Sequence, residues 1–153
     1  MDVLTREQRH RNMSHIRGKD TTPEILVRRF LFSKGMSFRK NDKRLPGHPD
    51  IVLPKYRTVI FVNGCFWHGH DGCRYATTPH TNSEFWIGKI ESNKTRDERE
   101  YKELSESGWH VVVVWECELK KSVCQETLIR LYDEVAAFQN DSAGRAQQKF
   151  NHV

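Results

Sequence analysis

Apolar residues along this chain come in short runs, and the period of each run suggests an element. Val59-Ile60-Phe61-Val62 is continuous, as a strand covered on both faces would be, and Trp109 to Trp115 (WHVVVVW) is a second such run. Asp50 to Leu53 reads as a strand joined to the Val59 run by the turn Pro54 to Arg57, which predicts a hairpin. Ser37 to Asn41 alternates and reads as a short strand. Helical spacing follows Thr21, an N-cap with Pro23 in the first turn and Glu24 completing a capping box. Ile25, Leu26, Phe30 and Leu31 give that helix its buried face, and Gly35 ends it. Glu84 to Ser107 is a long amphipathic helix on which Trp86, Ile90, Asp97, Tyr101 and Leu104 share helical spacing before Gly108 closes it. Phe85 and Trp86 are adjacent, so they cannot both face one core. Leu128, Leu131, Tyr132, Val135 and Phe138 mark a C-terminal helix, and from Asn140 the polar composition predicts fraying.

Strands mixed with helices in this order predict an α/β (α+β) chain, and 153 residues suit a single domain over 1–153 with a core of useful size. There is no run near the ~18 apolar residues of a membrane helix. The N-terminus MDVLTREQRHRNM lacks the apolar centre of a signal peptide, so the expected location is the cytoplasm. Four cysteines in that compartment predict metal ligands or free thiols rather than disulfides. Charge is uneven: residues 1–44 hold twelve Lys/Arg against five Asp/Glu, while the rest hold thirteen against fifteen. A basic first third on a near-neutral body suits a polyanion such as nucleic acid, although a solvated tail would have the same composition. Residues 1–18 then form a basic arm. Within it, Met13 and Ile16 lie three apart on one helix face, placed either to pack singly on the body or to wedge between bases.

Candidate chemistry concentrates just after the Val59 run. Asn63-Gly64 ends the strand, and Cys65, His68, His70 and Cys73 follow within nine residues. Cys65, His70 and Cys73 are spaced as three zinc ligands from one loop, and Cys117, ending VVVVWEC, is the natural fourth. This leaves His68 without a structural duty. Asp50 starts the neighbouring strand after Pro-Gly-His-Pro, where an acidic residue is either a turn feature or a partner for those histidines. Glu24 reads equally well as a capping glutamate. Cys124 belongs to no cluster.

Five segments together carry a family resemblance: NMSHIRGKDTTPE, LPGHPDIV, VIFVNGCFWHGHDGC, EFWIGKIESNKTRD and GWHVVVVWEC. The chain resembles the very short patch repair endonucleases, bacterial enzymes that nick DNA beside a T:G mismatch left by deamination of 5-methylcytosine. The resemblance runs from about Arg11 to Cys117. It implies a restriction-endonuclease-like fold, with a mixed central sheet flanked by helices, a structural zinc and a catalytic magnesium. It makes Asp50 and the main-chain carbonyl of Val62 magnesium ligands, His68 the general acid/base, and Glu24 a metal neighbour through water. Met13 and Ile16 become a minor-groove wedge, and Phe66, Trp67 and Trp86 an aromatic wedge from the other groove. Lys89 and Asn93 face the mismatched pair. The implied protein is a monomer on double-stranded DNA, associated with the nucleoid when acting, with other repair proteins as the partners to look for.

The chain departs from the expected pattern in three places. Phe61-Val62-Asn63 lacks the acidic-x-Lys pair usual in the wider nuclease superfamily. Asn63 stands where members of the family carry a histidine. His70 and Cys73 are one residue further apart than the family spacing, which zinc tolerates. The rival readings are a zinc-stabilised DNA-binding protein without catalysis and a nuclease for intact or methylated sites.

Overall fold

Thr21 caps the first helix as its sequence predicts, its side chain accepting from the Glu24 N–H at 3.4 Å. The computed structural model describes residues 20–150. Helix α1 spans Thr22–Ser33, α2 Ser83–Glu106 and α3 Cys124–Phe150. Strands β1 (Arg39–Lys40), β2 (Ile51–Leu53), β3 (Thr58–Asn63) and β4 (His110–Trp115) form one sheet in chain order. Short 3-10 turns at Pro54–Tyr56 and Glu116–Leu119 follow β2 and β4. The arm and its Met13 and Ile16 lie outside the described residues. The backbone of α3 reaches Phe150, past the Asn140 at which composition predicts fraying.

Both predicted glycine stops are used. Gly35 (φ +76°) and Gly108 (φ +92°) take the left-handed conformation just past the C-caps Lys34 and Ser107. The reciprocal bonds of a Schellman motif follow each: Met36 N–H to the Leu31 carbonyl at 3.1 Å, and Trp109 N–H to the Leu104 carbonyl at 3.0 Å.

The sheet is mixed. β1 with β2 and β2 with β3 are antiparallel, and the tight turn through Arg57 (φ +50°) makes the second pair the expected hairpin. β3 and β4 run parallel, which requires a long crossover, and α2 lies within it. Alternate side chains of β3 serve two cores. Ile60 packs with Val27 and Leu31 of α1 and Leu128, Leu131 and Val135 of α3. Val59 and Phe61 pack with Leu104 and Tyr101 of α2 on the other face. Covering both faces is what a continuous apolar run demands. No helix among the described residues is long and apolar enough to cross a membrane.

This topology gathers the candidate residues at one end of the sheet. Parallel β3 and β4 end side by side at Asn63 and Trp115, so the loop after one and the turn after the other meet. Antiparallel β2 begins at the same end, immediately after Asp50.

Candidate active site and metal centre

The loop after β3 is held from two sides. His70 stacks flat on Trp115 of β4, with ring centroids 4.1 Å apart and planes 5° apart. Its Nδ1 lies 3.5 Å from the Cys117 sulfur. The ligand atoms of Cys65, His70, Cys73 and Cys117 all fall within 4.8 Å of one another. Three sulfurs and one imidazole nitrogen are the donor set of a closed zinc site. Burial, together with the neighbouring Cys65 and Cys73, pushes the Cys117 thiol up to about 12, and burial also raises Cys65. Without a cation the raised thiols stay neutral, and a cation among the three sulfurs would draw them into the thiolate form, so the donor set fits the metal its spacing predicts. Cys124 lies elsewhere, half-buried against the larger core.

His68 points away from this cluster. Its Nδ1 is 2.6 Å from Asp97 Oδ2 on α2. An ionised carboxylate only accepts, so Nδ1 carries the proton and Nε2 is the atom left to exchange one with a substrate. The helical spacing puts Asp97 on the inner stripe of α2 without giving it a role. A lone carboxylate among Trp86, Ile90, Tyr101 and Leu104 was the available signal.

Asp50 sits between β2 and β3, where its Oδ2 accepts the Val62 N–H at 2.7 Å. The N–H and C=O of one strand residue point to the same edge, so the Val62 carbonyl also faces Asp50. Burial pushes Asp50 up to about 7, and the adjacent Glu24 carboxyl adds to the rise, against the Val62 N–H and His68. Glu24 is itself 3 % exposed. Its side chain does not return to the cap residue as a capping box requires. Instead Oε2 accepts from the Asp20 N–H and from Arg28, each at 2.9 Å. Buried Glu24 and half-buried Asp50 beside an inward-facing main-chain carbonyl form an oxygen-rich pocket that fits a hard divalent cation.

The raised Asp50 group has a consequence for stability without metal. Its folded-state pKa lies above the unfolded value, so its contribution is fully present below about pH 4 and is lost as pH rises through about 7. Asp50→Asn should therefore stabilise the magnesium-free protein at pH 8 by roughly 1–3 kcal/mol and change little near pH 4. Thermal denaturation of zinc-loaded wild type and variant without magnesium at both pH values measures this; an equal effect at both would show that Asp50 carries no such shift.

The remaining side chains surround these two centres. Phe66, Trp67 and Trp86 form a ring cluster with centroids 5.2 to 5.7 Å apart. Phe85 touches Trp86 edge-on at 5.2 Å yet stays 62 % exposed, on the solvent side of that cluster. Lys89 is exposed on α2, whereas Asn93 is buried and donates Nδ2 to the Trp67 carbonyl at 2.8 Å. Asn63 is also buried, donating to the Tyr101 hydroxyl at 2.8 Å, and burial raises that phenol to about 12.

Gly69 separates His68 from His70 and takes φ +60°. A Cβ there would come within 2.7 Å of Ile90 Cγ2 and 2.8 Å of Lys94 Cδ, so α2 lies directly on the loop. Gly69→Ala should cost about 1–2 kcal/mol from the left-handed backbone alone. An unchanged melting temperature in that variant would show that loop and helix are not locked together here.

Residues 1–74 match the family described as DNA mismatch endonuclease Vsr. A nicking enzyme of Neisseria meningitidis, V.NmeAIP, is 50% identical over 88% of this chain and 96% of its own length. The Xanthomonas oryzae nicking enzyme V.XorIIP is 47% identical, covering 84% of this chain and 94% of that one. The chain belongs to the Vsr family. Vsr of Escherichia coli itself is 44% identical over 78% of this chain and 76% of that protein. The matched residues 1–74 hold Glu24, Asp50, Cys65, His68, His70 and Cys73, while Asp97 and Cys117 lie beyond them.

Proposed function

We propose that this Vsr-family DNA endonuclease nicks one strand of duplex DNA beside a T:G mismatch, by magnesium-dependent phosphodiester hydrolysis. The observation that carries the reading is the convergence of Asp50, Glu24 and the His68–Asp97 pair at the end of β3, beside a separate thiol cluster. A DNA-binding protein without catalysis has use for the aromatic cluster and the thiol site. It has none for the adjacent Asp50 and Glu24 carboxyls next to an oriented imidazole.

In this reading the sheet and its flanking helices form a restriction-endonuclease-like domain over 1–153, with 1–18 as its DNA-binding arm. Cys65, His70, Cys73 and Cys117 would hold zinc as a structural tie between the β3 loop and the end of β4. Asp50 and the Val62 carbonyl would hold magnesium, with Glu24 beside it through water. The magnesium supplies stabilisation for charge developing on the phosphate. His68 moves the proton at Nε2, and Asp97 fixes its tautomer and orientation through Nδ1. The Phe66–Trp67–Trp86 cluster suits stacking at a weakly paired step, which costs less to unstack than a matched one. Exposed Lys89 would reach the mismatch, and Asn93, held on the Trp67 carbonyl, would face it. Met13 and Ile16 would wedge from the minor groove.

The test uses two duplexes of one sequence, with T:G or C:G at a single position, incubated with zinc-loaded protein and magnesium. Nicking of the T-containing strand in the first duplex alone is the expected result. No nick in either supports the binding-only alternative, and equal nicking of both supports a nuclease for intact sites.

A further inference from the structure

Arg28 has a place in the site that the reaction as described does not use. It lies on α1 one turn after Glu24, and its side chain is only 9% exposed. Its Nη2 meets Glu24 Oε2 at 2.9 Å and Asp20 Oδ1 at 2.8 Å. The Asp20 N–H donates to the same Glu24 oxygen, so two donors close on one carboxylate oxygen. That carboxylate lies against Asp50.

Stability does not explain this arrangement. Exposed pairs at this helical spacing contribute little, and buried ones lose much of their attraction to desolvation. Arg28 Nε is also buried with no hydrogen-bond partner among the described residues, a cost that a purely structural arginine would avoid. What the arrangement does achieve is a single orientation for Glu24. Asp20 (φ +56°) is the described residue that follows directly on the basic N-terminal segment.

We propose that Arg28 is a positioning residue of the nicking reaction: with Asp20 it clamps Glu24 beside Asp50 and ties that carboxylate to the root of the N-terminal segment. The proposal rests on the function given above. Arg28 itself touches neither metal nor substrate and acts through Glu24.

The experiment compares wild type, Glu24→Gln, Arg28→Met, Arg28→Lys and the double variant Glu24→Gln/Arg28→Met, all zinc-loaded. Two quantities are read: Mn2+ affinity by electron paramagnetic resonance, and the single-turnover nicking rate on a T:G duplex. Arg28→Met should weaken both by ~10- to 100-fold, the usual cost of removing a group that orients a metal ligand. Arg28→Lys keeps the charge and should recover part of each. The double variant should match Glu24→Gln to within about twofold, because the two residues act as one unit. Should Arg28→Met fail to fold, Arg28→Lys carries the comparison: a partial loss in both quantities is expected, and wild-type values in it overturn the clamp. Wild-type behaviour in Arg28→Met, or a double variant showing the full product of the single losses, overturns the clamp. A wild type that neither binds Mn2+ nor nicks would remove the proposed function and this inference together.

Discussion

Asp50→Asn is expected to abolish magnesium-dependent nicking while binding to T:G duplex survives. The substitution keeps shape and can retain the contact with the Val62 N–H. It replaces the one hard anionic oxygen placed between β2 and β3 with a neutral amide, a far poorer magnesium ligand. Loss of metal-based charge stabilisation amounts to several kcal/mol in the transition state, or ~1,000-fold or more in rate. DNA binding should not fall, since one negative charge fewer beside a phosphate can only help attraction. Gel-shift affinity and single-turnover nicking on the same preparation separate the two effects. A variant that nicks within about tenfold of wild type would take Asp50 out of the metal site.

The largest effect on stability should come from Cys117→Ser. Cys117 sits in the turn after β4, and its three partners come from the loop after β3, so a metal among them closes a long segment of chain. Structural zinc contributes its binding free energy directly to folding. Losing one of four ligands should cost at least ~3 kcal/mol, on the order of 10 °C in melting temperature for a chain of this size. It should also release the zinc. Nicking should fall with folded fraction rather than selectively. A soluble Cys117→Ser protein with full zinc content and an unchanged melting temperature would show that this cysteine is not a ligand. Cys124→Ser, in the core margin, should be mild by comparison.

Much of this architecture is legible from local pattern. The β3 run of apolar residues, the Gly35 and Gly108 stops and the Pro54–Arg57 turn each dictate a local conformation, and the elements form where those signals lie. The thiol cluster was equally legible, because ligand type and spacing are local properties and Cys117 was the cysteine that ended a neighbouring strand. The rest depends on which elements meet. Asp97 reaches His68 across 29 positions of chain, and Asn63 reaches Tyr101 across 38, through the packing of α2 on the sheet. Nothing in local spacing announces such pairs. Glu24 shows the opposite case. Its position three after Thr21 suits a capping box, yet burial beside Asp50 and a nearby arginine draw its carboxyl inward. A buried carboxyl takes the strongest donors within reach, and here those are Arg28 and the Asp20 N–H.

The central claim is that one loop divides its histidines, His68 for chemistry and His70 for zinc. The structure separates them by the left-handed Gly69, with His68 on Asp97 and His70 on Trp115 and Cys117. The most direct test is zinc stoichiometry in purified His68→Ala and His70→Ala, with nicking measured on the same samples. His68→Ala should keep its zinc and lose ~100- to 10,000-fold in nicking rate. His70→Ala should lose zinc and stability together. Zinc lost from His68→Ala and retained in His70→Ala would reverse the two roles and contradict the account.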